Sequence, residues 1–364
     1  MSRLVIDVLP VAGTAAGAAD LTGVPAELLR RWDRHGGVQE AALVTARDGG
    51  ALVAAAFEAH RPLTAYRKIV DVWAADDAAG DLLVENVEER AWRDGAVAVK
   101  REFAARDGAW RRALERGYVE VPVPRWAGPV AGPHRAEERF GLVRWRDAAP
   151  RRAVPYMRQT TDFTCGPVAL QMGLAALGLR GEPDRADEMR LWRTATTVGG
   201  CEPLGLALAA ADEGAAPQVL LSTEEPILLE LCRNDEERDL RAFLQSGFRA
   251  EAAARGLDVR TETFGLAALR EALAGGAVAL VLIDELGMHA ESCPHWITVH
   301  GAAGDVFYAN DPWTDADLGE TYLDAADLPL PAATLDRLAW YGSPAYRGLV
   351  LLRPAVSPTA STGG

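Results

Sequence analysis

A cysteine set directly before a helix is the feature that most constrains this chain. Val154 to Leu177 reads VPYMRQTTDFTCGPVALQMGLAAL: a short strand-like run, then Cys165, Gly166, Pro167 and an apolar helical segment. Only the thiolate of a cysteine attacks carbon, and the unpaired N–H groups at a helix N-terminus lower a thiol's pKa. Pro167 suits a first helical position, where its missing N–H would have no partner in any case. Gln159, six residues before the cysteine, carries a side-chain amide that can fold back beside it. With the Cys165 backbone N–H it makes two donors for a developing oxyanion. A cysteine here is also commonly a small buried core residue, so the reading depends on finding a base.

The base and its orienter stand near the other end, in Pro294-His295-Trp296-Ile297-Thr298-Val299-His300, a Gly-rich stretch over 301–305, and Val306 to Asp311 and Pro312. Two alternating β-branched and aromatic runs around such a loop read as a β-hairpin. With 301–305 as the loop, His300 faces Val306 and His295 falls opposite Asp311. Opposed side chains share a face with Cβ atoms about 4.5–5.5 Å apart, within hydrogen-bonding range for an imidazole and a carboxylate. His300 lies an odd number of residues from His295 and points to the other face, and His289 precedes the strand in a loop. His295 is therefore the better base.

These residues carry a resemblance. Gln-x5-Cys-Gly-Pro, then Pro-His-Trp, then Asn-Asp-Pro resembles the papain-like cysteine peptidases of the C39 type, the bacteriocin-leader-processing group and its relatives. YMRQTTDFTCGP, LWRTATT and GGCEPLGLALAA (within 191–210 for the last two) are similar to the stand-alone C39-like family once known only as a domain of unknown function. The resemblance covers roughly residues 150–354. It implies Cys165 as nucleophile, His295 as base, Asp311 as orienter and Gln159 as oxyanion donor. The leader-processing relatives cut after Gly-Gly, but nothing in this sequence encodes the narrow groove that preference requires.

A chain of 364 residues is long for one domain and suggests two. The net charge of −14 argues against nucleic acid or an anionic membrane as the main partner. A basic peptide or a neutral small molecule fits better. Cysteines 165, 201, 232 and 293 form no Cys-x-x-Cys pair, which suits a reducing cytoplasm more than a disulfide framework. Neither a signal peptide nor a membrane span is read.

Residues 1–125 alternate strand-like and helix-like pieces: a hairpin of Ala41–Arg47 and Ala51–His60, a strand at Ile69–Ala75, a helix at Asp81–Asp94, a strand at Ala96–Arg101, a helix at Gly108–Arg116 and a strand at Tyr118–Val123. This order resembles the GNAT N-acetyltransferases, in which a helix N-terminus after the fourth strand grips the pyrophosphate of acetyl-CoA. Where that family has a Gly-rich loop, residues 74–81 place Asp76, Asp77 and Asp81, which would repel a diphosphate. A degenerate acyltransferase-like domain used for substrate capture or docking is the expectation, with no cofactor.

The segment 126–152, rich in Pro and Gly, reads as a linker, with one candidate strand at Phe140–Trp145; residues 355–364 read as a disordered tail. After the nucleophile helix, Pro203–Ala211 reads as a helix whose N-terminus either meets an anion or simply packs, and Ala277–Asp284 as a central buried strand. The loop Glu285–Cys293 is positioned to cover the cleft. His289, Cys293 and His295 have the spacing H-x3-C-x-H, but strand spacing is not a usual zinc pattern and a fourth ligand is missing. Cys201 has no base near it in sequence and reads as structural. Trp296 and Trp313 either line the cleft or pack.

The expectation is thus an α+β chain: a GNAT-like α/β domain (1–125), a linker, and a papain-like C39-type catalytic domain (153–354). It is expected to act in the cytoplasm on a peptide, or on a small-molecule amide or thioester, through a Cys165 acyl-enzyme. No metal, nucleic acid or membrane is expected as a partner. Water as acceptor makes a peptidase or amidase; an amine makes an amide-forming acyltransferase; a non-catalytic peptide-binding module is a third reading.

Overall fold

The computed structural model describes residues 4–12, 20–125, 138–147, 152–196 and 199–355. The N-terminal half runs β1 (Val5–Pro10), α1 (Ala26–Trp32), β2 (Glu40–Asp48), β3 (Ala51–His60), β4 (Tyr66–Ala74), α2 (Asp77–Arg93), β5 (Ala98–Phe103), α3 (Gly108–Glu115), β6 (Val119–Val121) and β7 (Phe140–Trp145). Its seven strands lie in the order β1-β2-β3-β4-β5-β7-β6. Only β4 and β5 are parallel, as a strand-helix-strand crossover requires.

Local chemistry explains these elements. Asp48 pairs with Ala51 across Gly49 and Gly50, at φ +57° and +91°, a two-residue turn whose conformation glycine adopts without strain. Ala79, Leu83, Val84, Val87 and Ala91 form one helical stripe on α2 and pack on Val44, Ala54, Ala56 and Val99 of the sheet. The expected pieces from Ala41 to Val123 are all present, with shifted ends. β1 and α1 were not anticipated: the strand is a mostly exposed edge and the helix is short, so neither has a strong period.

The linker expectation needs correction over 138–147. Phe140–Trp145 is β7, inserted between β5 and β6 and paired with both, so it completes the N-terminal sheet. The rest of 126–152, except Arg152, and residues 356–364 of the expected tail lie outside the described residues.

The C-terminal half runs α4 (Cys165–Ala176), α5 (Arg185–Ala195), α6 (Pro203–Asp212), β8 (Ala215–Leu221), α7 (Asp235–Ala254), β9 (Asp258–Thr261), α8 (Leu266–Ala274), β10 (Val278–Asp284), β11 (Pro294–Ala303), β12 (Val306–Asn310), β13 (Leu328–Pro331), α9 (Ala332–Leu338) and β14 (Gly348–Pro354). The sheet order is β13-β12-β11-β10-β14-β8-β9. The apolar run β10 occupies the middle, and α4, buried from Cys165 to Leu174, packs on β10 and β11. No helix among the described residues is long and apolar enough to cross a membrane.

The halves share a core. Tyr66, Ala98, Val121 and Val143 of the first sheet pack into one apolar cluster with Phe307, Tyr322, Leu323 and Leu330. A Cβ at Gly141 would fall 2.4 Å from Leu323 Cδ2 and 2.7 Å from the Tyr322 hydroxyl. Only glycine lets β7 lie this close to the segment that follows β12.

Candidate active site

Cys165 is the first residue of α4, so Pro167 occupies the third helical position rather than the first. Pro remains acceptable there because first-turn N–H groups have no intrahelical acceptor. Thr164 precedes the helix without capping it by its side chain. Its hydroxyl instead bonds Glu188, leaving the first-turn N–H groups beside the thiol uncapped.

The histidine and aspartate meet through a hairpin that differs from the expected one. β11 and β12 are joined by a two-residue turn, with Ala303 opposite Val306, not by a loop over 301–305. Gly301 pairs with Tyr308, but Val299 pairs with Ala309 and Thr298 with Asn310, so the strand bulges at His300. Without the bulge, Asp311 would fall opposite Thr298, on the face away from His295. The extra residue shifts the register by one and brings Asp311 round to the face of His295. The two are therefore diagonal neighbours rather than directly opposed. The long imidazole covers the difference, and His295 Nε2 lies 2.7 Å from Asp311 Oδ1.

His295 and Asp311 are both buried. The Cys165 thiol lies near enough to the same imidazole to favour its charged form. The Nδ1 edge of the ring also faces Glu285, whose Oε1 is 3.3 Å away. Burial opposes a charged imidazole here, but the carboxylates of Glu285 and Asp311, with the bond to Asp311 and the neighbouring Cys165 thiol, outweigh it and hold His295 well above its ordinary pKa. Asp311 shows the converse. Burial works against its charge, yet His295 and the guanidinium of Arg61 hold its carboxyl well below the usual range. Its Oδ1 also accepts the Trp313 backbone N–H at 2.8 Å, and its Oδ2 accepts from Arg61 at 2.6 Å.

Gln159 is buried in the irregular segment before α4, where the expected strand-like run is not a strand. Its backbone N–H donates to Pro312 O at 2.9 Å, tying it to the residue after Asp311. Its side-chain Nε2 donates one hydrogen to Thr161 O at 2.8 Å, which leaves the second hydrogen uncommitted by that bond. Arg158 reinforces the tie by donating to Gln159 O at 2.7 Å and to Thr314 O at 2.9 Å. Glu188, on α5, holds the intervening loop, accepting the Thr160 N–H and hydroxyl at 2.8 Å each and the Thr164 hydroxyl.

Several sequence candidates fall outside this cluster. Cys201 is buried against Gly166 and 2.6 Å from the Thr196 hydroxyl; burial pushes its thiol far up. The N-terminus of α6 is closed by Glu202, which accepts from Leu204 N and Gly205 N. Trp296 is core, donating to Cys201 O at 2.8 Å, and the Trp313 ring lies under Arg158. His300 is buried 3.4 Å from Asp327. Among the described residues, His289 and Cys293 do not gather with His295 into a ligand set. The set that does form is Glu285, His295 and Asp311, with ligand atoms within 4.8 Å of one another. Arg61, bonded to Asp311, places a fixed positive charge against any cation there.

Arg61, Glu285, Glu188 and Arg158 were not anticipated. Arg61 is 250 residues from Asp311, and no spacing rule reaches that far. Glu285 directly follows β10, and its place at the end of an apolar run is the one local signal that could have drawn attention to it.

The N-terminal half does not fit an acyl-CoA diphosphate. Asp76 caps α2 through Ala79 N, Asp77 takes a two-pronged bond from Arg112 at 2.7 Å, and Asp81 stands 3.4 Å from the same guanidinium. Arg31 bonds both Asp71 of β4 and Glu102 of β5, with Arg139 on Asp71 at 2.6 Å, across the place where these strands part. The N-terminus of α2 is thus capped and lined by carboxylates, and the parting of β4 and β5 is bridged.

Comparison with known proteins adds a family. No curated protein matches the sequence. Among solved structures, the N-terminal part is similar to an acetyltransferase of Bacillus subtilis in complex with CoA, at 13% identity over 39% of this chain and 99% of that one, TM-score 0.26. A GNAT family acetyltransferase of Elizabethkingia anophelis with acetyl-CoA bound gives 12% identity, 38% and 97% coverage and a TM-score of 0.28. A double glycine motif protease from an AMS/PCAT transporter, in complex with its leader peptide, gives 15%, 57%, 96% and 0.29. None of these likenesses is close enough to carry over a ligand or a reaction. A family profile described as Peptidase_C39 like matches residues 154–353, more than half the chain and the stretch that holds Gln159, Cys165, His295 and Asp311. The chain belongs to the Peptidase_C39 like family.

Proposed function

We propose that this protein is a cysteine-dependent acyl-transfer enzyme that hydrolyses a peptide or other amide through a Cys165 acyl-enzyme. The observation that carries the reading is the imidazole of His295, bonded at Nε2 to Asp311 and set beside a thiol at a helix N-terminus. The Cys165 thiolate attacks the carbonyl carbon, a C–S bond forms, and the carbonyl electrons move to oxygen. The Cys165 N–H and the free Gln159 N–H are the donors for that oxyanion. As the oxyanion collapses, the C–N bond breaks and the His295 Nδ1 proton goes to the leaving amine. Neutral His295 then takes a proton from water, whose oxygen forms the new C–O bond as the C–S bond breaks. Asp311 holds the ring in the right tautomer throughout.

An amine in place of water turns the same site into an amide-forming acyltransferase. Glu285 favours keeping this second reading: its carboxylate lies 3.3 Å from the nitrogen that handles the amine proton, where it can balance an ammonium. The primary test is Cys165 alkylation against pH, in wild type and His295→Ala. Rapid labelling below pH ~7, against about 8.5 for a free thiol, and slowed by the histidine change, is the expected result. Slow labelling that ignores His295 refutes the catalytic reading. Product formed from a thioester only when an amine is supplied would select transfer over hydrolysis.

A further inference from the structure

The buried charges at the junction of the two halves raise a question that the C-terminal domain alone does not answer: what holds Asp311? We propose that Arg61, contributed by the N-terminal half, is a positioning residue for Asp311, so that this half completes the catalytic apparatus instead of serving only for docking. The proposal rests on the reading of Cys165, His295 and Asp311 given above.

Arg61 directly follows β3, and its side chain is 0% exposed. Its Nε and one terminal nitrogen fork onto the two carboxylate oxygens of Glu320, at 2.8 and 2.7 Å. That same terminal nitrogen also donates to Trp313 O at 2.8 Å. The other terminal nitrogen donates to Asp311 Oδ2 at 2.6 Å. The division on Asp311 is what matters. Oδ1 serves His295 and the Trp313 N–H, while Oδ2 is held by Arg61 alone among the hydrogen bonds it makes. A carboxylate held at both oxygens cannot swing about its Cγ, so the direction in which it receives the imidazole is set.

The Arg61 backbone is itself fixed by the first domain. The Arg61 N–H donates to the Tyr66 hydroxyl at 3.2 Å, and that hydroxyl donates to Asp324 at 2.8 Å. Lys68 bonds Asp324 and Lys100 bonds Leu323 O and Ala326 O, so residues 323–326 are seated on β4 and β5. Three carboxylates, Asp311, Glu320 and Glu285, stand against Arg61 and protonated His295. Without Arg61, all three share one imidazolium. One of them then favours its neutral form, as close carboxylate pairs do.

The test is Arg61→Gln and Arg61→Lys in the full-length chain, read by the pH profile of Cys165 alkylation. Arg61→Gln is expected to move the profile toward that of a free thiol and slow labelling at pH 7 about tenfold or more. Arg61→Lys keeps the charge and is expected to restore part of it, as is millimolar guanidinium added to a small Arg61→Ala side chain. Tyr322→Phe removes a different contact between the halves, to Val121 O, and is expected to leave the profile unchanged. If Arg61→Gln does not fold, Arg61→Lys and Tyr322→Phe still decide: a shifted profile in the first and a retained one in the second supports the role. Wild-type profiles in all folded Arg61 variants overturn it. A wild-type cysteine with no reactivity at low pH refutes the underlying catalytic reading instead, which keeps the two failures apart.

Discussion

Replacing Gln159 by alanine separates oxyanion binding from thiolate formation. Alkylation by iodoacetamide is a displacement at a saturated carbon and creates no oxyanion; acylation by a p-nitrophenyl ester passes through one. Both need the same thiolate. The amide of Gln159 has one hydrogen committed to Thr161 O, so a single donor is removed from the oxyanion. Loss of one such donor costs about 10²–10³ in rate, roughly 3–4 kcal/mol. Stability should change far less. The side chain is buried, so truncation leaves a small cavity and frees Thr161 O, but it also deletes Gln159 Oε1, a buried acceptor with no hydrogen-bond partner among the described residues. An unpaired buried group of that kind costs about 1–3 kcal/mol, comparable with the loss on truncation, so the net effect is expected within about 1 kcal/mol. The measurement is the ratio of nitrophenolate burst rate to alkylation rate in the two proteins, with urea unfolding alongside. The ratio should fall by two orders of magnitude or more. An unchanged ratio in a folded Gln159→Ala protein would refute the assignment of Gln159.

Glu285→Gln removes one of two carboxylates that hold His295 protonated, so its pKa should fall and the alkaline limb of the acylation profile should move to lower pH. A raised histidine contributes stability that is fully present below its unfolded pKa of about 6.5 and is lost as pH rises through the folded value, so this variant should also be less stable near neutrality. A pH–rate profile and urea midpoints at pH 6 and 8 check both. Glu188→Ala strips three donors from one buried acceptor and should lose about 2–3 kcal/mol, since the Thr160 N–H is left without a partner; guanidinium unfolding measures it, and a loss below about 0.5 kcal/mol would contradict the pinned loop. Asp311 is held well below its usual range, and Glu320 and Glu102 are lowered to about 2. Depressed carboxylates give stability that is present above their unfolded pKa near 4 and lost as pH falls through the folded value, on the order of 2 kcal/mol each. The urea midpoint should therefore drop steeply from pH 5 to pH 3, and a flat midpoint would count against the buried network. Isothermal titration of acetyl-CoA into the full chain should give no heat of binding, because Asp76 caps the N-terminus of α2 and Asp77 and Asp81 add carboxylates beside it; micromolar binding would reverse that reading.

What could be read without a structure was whatever depends on short-range order. Helix α4 and strand β10 are apolar runs with clear boundaries, and the Cys-Gly-Pro junction and the β2–β3 turn are local chemistry, so periodicity and turn residues were enough. The two histidines could be ranked by strand parity because His295 and His300 belong to one strand. Parity carried the His295–Asp311 pairing only by good fortune of register. The assumed five-residue loop was wrong, and so was direct opposition, and it took the bulge at His300 to return the two side chains to one face. A bulge is one extra residue whose cost is settled by packing on both sides of the sheet, so no local pattern announces it. The same holds more strongly for β7, whose place between β5 and β6 is decided by the strands that flank it, and for Arg61. An arginine after a strand is ordinary in sequence. It becomes a partner of Asp311 only when two sheets share a core and leave a buried carboxylate that must be paired, because a charge removed from water is held by whatever opposite charge the tertiary fold brings within reach.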